Sequence, residues 1–539
     1  MSAPPSERGD DTPTAVSDHD LHNKSEKNAG SGDSGKTQRA DGKIELTDED
    51  CADKLGFAFS TRKKWTILSV IFAVQVSMNF NTSIYPNAVA PLAAHFAVSE
   101  QAARVGQMLF LVAYAFGSEL WAPWSEELGR WPVLQLSLCL VNIWQLPCAL
   151  APNFGSIAAA RFLGGLSSAG GSVTLGMVAD MWAEDDQQHA VAFIVLSSVG
   201  GSALGPIAGG FAQTHLGWRW IFWIQLVLGG GVQALHFVLV PETRATVLVD
   251  REARRRRKAD SAANVWGPNE LKANRFSKRE ILLTWARPFE MFAREPIVLW
   301  LSLLSGFSDA LIFTFLEGFT PVFAQWGFSV AQTGLAFIPI VVGYVLAYLS
   351  FFPVIRRHRA VRRRDPHALQ PEARLWWLLY TAPLEALGLF GFAWTSLGPP
   401  IPWIVPLIFA AMIAVANYCI YMATIDYMIA SYGPYAASAT GGNALARDFL
   451  AGIAAMYSTP MYANIGKTHP LEWASTVLAC LAVLVTAPIY VFYWKGPQIR
   501  ARSKFAQTLE SDRQARGGRR VAGVGEKARA DRIERLEEA

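Results

Sequence analysis

Twelve stretches of about 20 mostly apolar residues recur along this chain, and no other feature restricts its fold so strongly. They fall near residues 65–90, 105–124, 133–151, 157–179, 190–213, 219–240, 297–324, 332–354, 375–397, 402–425, 435–460 and 472–494. A helix of that length spans the hydrocarbon thickness of a bilayer. Of the 539 residues, 51% are hydrophobic and only 17% are charged, which excludes a soluble globular domain. The expected fold class is an all-α membrane protein whose partner is the lipid bilayer.

Charge decides the expected orientation. Basic blocks stand at "STRKKW", "REARRRRK", "IRRHRAVRRRDPHALQPEAR" and "IRARSKFAQ", while "APNFGS", "QWGFSVAQT" and "SLGPPIP" on the opposite side carry no charge. Lys and Arg accumulate on cytosolic loops, so both termini are expected in the cytosol. The net charge of +4 sits in those blocks and does not point to nucleic acid. Residues 241–295 form the longest internal loop and divide the spans six and six. The expected organisation is a disordered cytosolic tail over 1–60, a six-helix bundle over 61–240, the loop, a second bundle over 296–495, and a cytosolic tail over 496–539. The first stretch is polar and does not read as a signal peptide. The long first segment contains "SMNFNTSIYPN", which marks its outer part as irregular. Of the five cysteines, the four in apolar runs, Cys139, Cys148, Cys419 and Cys480, read as small hydrophobes and not as a metal site.

"GGSALGPIAGGF", residues 200–211, sets five glycines and a proline inside an apolar run. In a soluble helix each Gly costs about 1 kcal/mol and Pro about 3 kcal/mol. In lipid, small residues let two backbones approach closely. Gly201, Gly205, Gly209 and Gly210 supply such a face, and Pro206 bends the helix.

That stretch resembles the antiporter motif of the major facilitator superfamily, and "GWRWIFWI" at 217–224 resembles its fungal twelve-span drug/proton branch. "GSELWAPWSEELGRWPVL" is similar to the superfamily's loop signature, with Gly117, Glu126, Gly129 and Arg130 on its glycine, acidic, glycine and arginine positions. "RFLGGLSSAGG" puts Arg161 on the intramembrane arginine and Gly165 on its partner glycine, and "VADMW" around Asp180 fits the end of the same helix. "PETRATVLVDREARRRRK", "RPFEMFAREPIVL", "PEARLWW", "FAWTS" and "DYMIASYGPYAASATGGNALARDF" resemble the same branch, with Arg447-Asp448 where Arg-Ser is usual. The resemblance covers roughly residues 60–500. It implies two six-helix bundles that rock about a central site.

A charge at mid-bilayer costs at least ~2.5–3.5 kcal/mol, so each asks for a reason. Arg161 is either a tether between helices or, by the resemblance, a proton-coupling residue. Asp309 and Glu317 are eight residues apart, so they point within about 80° of each other and are expected to face one cavity. Glu385 interrupts an apolar helix; Glu119 is a further candidate. Asn79, Asn81 and Asn443 either contact substrate or stitch helices, and His236 reads as a packed interface residue. Without a Walker motif, ATP-driven transport is not expected.

The expected protein is a monomeric plasma-membrane antiporter, not an enzyme. It needs no cofactor beyond the proton gradient and exports a small amphipathic compound: a secondary metabolite (a polyketide, acidic metabolite or extracellular glycolipid) or drugs. Proton-coupled uptake of a nutrient or polyamine is the alternative within transport, and a non-transporting membrane sensor is the alternative outside it.

Overall fold

In the computed structural model, residues 37–38, 43–182, 187–260, 263–272, 278–365, 369–466, 468–503 and 505–506 are described. The first segment is α1 (Thr61–Ser83), begun by the Ser60 side chain accepting from the Lys63 N–H, followed by α2 (Pro86–Phe96). The two meet at 41°, so the expected irregularity is a bend at Ile84–Tyr85. Next come α3 (Glu100–Glu127), α4 (Arg130–Ala149), α5 (Phe154–Leu166), α6 (Gly170–Met181), α7 (Gln188–His215) and α8 (Arg219–Leu239). The central loop holds α9 (Ala245–Ala259) and α10 (Lys278–Arg294). The rest comprises α11 (Pro296–Ala324), α12 (Val330–Leu335), α13 (Ile338–Arg364), α14 (Leu378–Thr381), α15 (Pro383–Thr395), α16 (Ile404–Tyr432), α17 (Ala436–Asn464) and α18 (Pro470–Arg500).

All twelve apolar segments are helical. Among the described residues, nine helical stretches are long and apolar enough to cross a membrane, and the bent α1–α2 pair makes ten. The other two depart for physical reasons. The fourth segment is interrupted at 167–169 into α5 and α6. Its loosened backbone groups go to neighbours: Ser137 Oγ donates to Ser167 O at 2.7 Å and accepts from the Ala169 N–H at 2.9 Å, and Trp121 Nε1–H donates to Leu166 O at 3.1 Å. The eleventh, α17, is 29 residues long but buries Asn443, Arg447 and Asp448, which remove it from the apolar class.

Helices within each sixfold set pack on one another: α1 on α7, α3 on α5, α4 on α8, and later α11 on α17, α13 on α16 and α15 on both α16 and α18. The two sets meet where α3 lies on α17 and where α7 lies on α12 and α13.

Residues 43–60, expected to be disordered, are ordered. Ile44–Glu45 pairs in parallel with Val265–Trp266 of the central loop. Leu46, Cys51 and Leu55 bury against Val249 and Ala253 of α9, and Lys54 Nζ is 2.6 Å from Glu252 Oε1. A sequence reading sees only a short polar stretch here; its partners lie two hundred residues away. The remainder of the tail, 1–36 and 39–42, and the end of the chain, 507–539, lie outside the described residues.

Candidate functional site

The glycines of α7 divide their work between two neighbours. A Cβ on Gly201 would sit 2.7 Å from Val76 O, and one on Gly205 2.7 Å from Ile84 N, so α1 closes onto the α7 backbone itself. Gly209 faces Asn87 in the same way. Gly210 turns to the other set, where its Cβ would be 3.0 Å from Val330 O, and Gly334 of α12 answers it against Pro206 O at 2.6 Å. Gly117 and Gly165 make the crossing of α3 and α5, since a Cβ on Gly117 would lie 2.6 Å from Leu166 O.

The loop signature forms a charge lock. Arg130 Nε is 3.1 Å from Asp180 Oδ2 at the end of α6, and Arg130 Nη1 donates to Ser125 Oγ at 2.6 Å. Glu242, just after α8, accepts from the Arg130 N–H at 2.9 Å and the Trp131 N–H at 3.3 Å. It thereby satisfies the N-terminus of α4, where Gly129 (φ 109°) has no capping side chain. Glu126 is half-buried on the α3 end and is not Arg130's ion-pair partner. The acid that Arg130 meets is Asp180, fifty residues on.

Inside the helices the charged side chains fall into separate groups. Arg161 is 1% exposed. Its Nη1 donates to Asn81 Oδ1 at 2.8 Å and Asn81 O at 3.2 Å, its Nε–H to Gly106 O at 3.4 Å, and its guanidinium lies 4.0 Å from the Phe110 ring centroid. This joins α5 to α1 and α3. Asn79 bonds within its own helix, to Gln75 O at 2.9 Å.

Asp309 and Glu317 take different counter-ions. Eight residues put them about 12 Å apart along α11, and their partners differ. Asp309 Oδ2 is 3.9 Å from Arg447 Nε, and Arg447 Nη2 is 3.4 Å from Asp448 Oδ1. The Arg447 guanidinium also sits 4.1 Å from the Tyr421 ring centroid. Glu119 of α3 reaches the same helix: a Cβ on Gly441 would be 2.8 Å from Glu119 Oε1, and that oxygen has no hydrogen-bond partner among the described residues. Two buried carboxyl groups, of Asp309 and Asp448, therefore attend one guanidinium, and a third, of Glu119, stands against the same helix where α3 meets α17. Glu317 instead pairs with Arg104 of α3 at 2.9 Å and accepts from Thr459 Oγ1 at 3.3 Å, nearer the end away from the central loop. Glu385 forms a third group, accepting from Ser308 Oγ, which in turn accepts from Asn417 Nδ2 at 3.1 Å. Asn443 is fully buried and neither amide atom has a hydrogen-bond partner among the described residues. His236 Nδ1 lies 2.6 Å from Gln135 Nε2, joining α8 to α4.

Both ends of the contact between the two sets are tied. Away from the central loop are Arg104–Glu317 and Gln101 Nε2–H donating to Met456 O at 2.7 Å. On the central-loop side, Gln188 donates to Asp426 Oδ2 at 2.6 Å and accepts from Arg362 Nη2 at 2.6 Å, while Arg374 pairs with the same Asp426. Sequence reasoning missed Arg104, Gln188, Glu242 and Asp426. Each is polar near a helix end, a position that normally means solvent, so only the partner reveals the role.

The Major Facilitator Superfamily profile matches residues 71–456. The chain is 32% identical over 454 residues to the MFS-type transporter kojT of Aspergillus flavus, covering 83% of this chain and 79% of that one. It is 29% identical over 446 residues to the Efflux pump FUB11 of Gibberella moniliformis (82% and 74% covered), and 28% identical over 456 residues to the ascochitine biosynthesis cluster MFS transporter of Didymella fabae (83% and 86%). The solved structure of a proton:xylose symporter, XylE, bound to 6-bromo-6-deoxy-D-glucose superposes with a TM-score of 0.56 at 17% identity, covering 81% of this chain and 97% of that one.

Proposed function

Because this chain belongs to the major facilitator superfamily, a family of membrane transporters of small molecules, we propose that it is a proton-driven exporter of an amphipathic secondary metabolite. The observation that carries the proton part is the group Glu119–Asp448–Arg447–Asp309. Asp309 and Asp448 share the Arg447 guanidinium, and Glu119 of the other set stands against Gly441 of the same helix. Gain or loss of one proton changes the net charge there, and an uncompensated charge within a bilayer shifts which packing is favoured. Protons taken up from outside and released inside then drive the halves, 61–240 and 296–495, through alternating tilts about the centre, with 241–295 as their cytosolic connection. Asp309 and Asp448 carry the coupling, Glu317 with Arg104 closes the outer end, and Gln188 with Asp426 closes the inner end. Asn443, buried with its amide atoms unbonded, takes a polar group of the cargo. Glu385 stiffens the packing of α15 on α11, and Arg161 serves as a tether because its hydrogen bonds go to helix carbonyls and an amide oxygen and its guanidinium lies on aromatic rings.

The named relatives support export over uptake: one is called an efflux pump, and another belongs to a biosynthesis cluster. On this reading the protein is a monomer of the plasma membrane with both termini in the cytosol, as the basic loops require. The test is to compare compounds secreted by cells with and without the gene, then present the one that disappears to proteoliposomes carrying a pH gradient. Substrate-dependent dissipation of the gradient, abolished in Asp448→Asn, is expected. Movement of the compound without any proton flux refutes the reading.

A further inference from the structure

α10 has an outer face that the other described residues leave uncovered. Its inner face is well packed: Met291 is fully buried, Phe289 stacks on Phe116 of α3 at 6.1 Å, and Gly442 of α17 closes onto Pro288 O and Phe292 at 3.1 and 3.5 Å of where its Cβ would be. The opposite face carries Leu282, 59% exposed, and Leu283, 55% exposed, with Ala286 one turn further and exposed Arg279 and Arg294 towards the two ends. Arg294 is paired with Glu290 at 2.6 Å, but its side chain remains 75% exposed. Adjacent leucines left in water forfeit the stabilisation of burial.

What covers them follows from where the helix leads. Only Glu295 separates α10 from α11, one of the long apolar helices, so the end of α10 stands where a span enters the bilayer. A helix with leucines on one face and arginines beside them lies in the plane of the membrane surface, apolar side down. Arginines at that level attract anionic headgroups.

We propose that α10 is a lipid-surface helix, with Leu282, Leu283 and Ala286 entering the headgroup–acyl boundary and Arg279 and Arg294 binding anionic phospholipid headgroups. Its inner face grips α3, α11 and α17, so lipid held on α10 steadies the junction of the two sets beside Gly441 and Glu119. The inference stands whichever way the chain exports or imports its cargo.

The test uses the full chain in nanodiscs, in a background with Cys139 and Cys480, the two cysteines that are not buried, replaced by Ser. A nitroxide on Leu283→Cys is read by collision with oxygen, which concentrates in lipid, and with a nickel chelate, which stays in water. Oxygen access is expected to dominate at 283, with the reverse on Lys258→Cys, an exposed position of α9. In detergent, anionic phosphatidylserine retained per protein is expected to exceed zwitterionic phosphatidylcholine and to fall by about fivefold in Arg279→Gln. Nickel access at 283 equal to that at 258 overturns the proposal. So does protection of 283 from both reagents, as beneath a second copy of the chain, and so does equal retention of the two lipids by the parent protein.

Discussion

Two glycines of α7, five residues apart, make opposite predictions. Gly200 has nothing within 4 Å of the position a Cβ would take, whereas on Gly205 the same atom falls 2.7 Å from Ile84 N and Ser83 C. An ordinary contact begins near 3.4 Å, so Gly205→Ala requires α1 to retreat by about 0.7 Å along a continuous interface. Overpacking of this kind costs about 1–3 kcal/mol, against which Ala gains about 1 kcal/mol of helix propensity. The net expectation is a loss of about 1 kcal/mol for Gly205→Ala and a gain of up to about 1 kcal/mol for Gly200→Ala. A separation of about 2 kcal/mol corresponds to melting midpoints about 4–8 °C apart for a half of this size. Both variants are purified in one detergent and melted with a thiol-reactive dye, which reports the buried cysteines. Similar midpoints for the two, or a stabilised Gly205→Ala, would refute the idea that these glycines exist for close helix approach.

Arg104→Gln strands a buried carboxylate at Glu317 and should cost about 3–5 kcal/mol, while the double variant Arg104→Gln/Glu317→Gln should recover much of it; thermal melting of the two decides. Arg447→Ala leaves Asp309 and Asp448 without their shared cation, so its expression as folded monomer should fall well below that of Arg447→Lys, as read by size-exclusion chromatography. On the central-loop surface, hydrogen bonds from Arg255, Lys54 and Arg256 hold Glu252 down at about 2, below its ordinary 4.5. Its folded value is depressed, so its contribution to docking residues 43–58 is present above about pH 4.5 and fades as pH falls towards 2. Trypsin should cut at Lys54 slowly at pH 7 and faster in Glu252→Gln; equal rates would show that the ion pairs do not hold the segment.

Much of the fold was legible because membrane helices announce themselves by length and apolarity alone. The α7 glycines were legible too, since four-residue spacing states a face whatever the partner. Side-chain pairing was not. Arg104 meets Glu317 across 213 residues, and no local pattern predicts it. The partner of Arg130 was hidden for the same reason, since Asp180 lies fifty residues away. Asp309 and Glu317 share a side of α11, but a helical wheel ignores the rise along the axis, and about 12 Å is enough to give each its own counter-ion.

The gap at 167–169 has a mechanical meaning. A continuous rod would carry any tilt at Arg161 straight through to Asp180. Here α5 is pinned to α1 and α3 through Arg161, while α6 is pinned to α4 through Asp180 and Arg130. The joint between them, bridged by the hydroxyl of Ser137, lets one segment swivel while the other stays anchored.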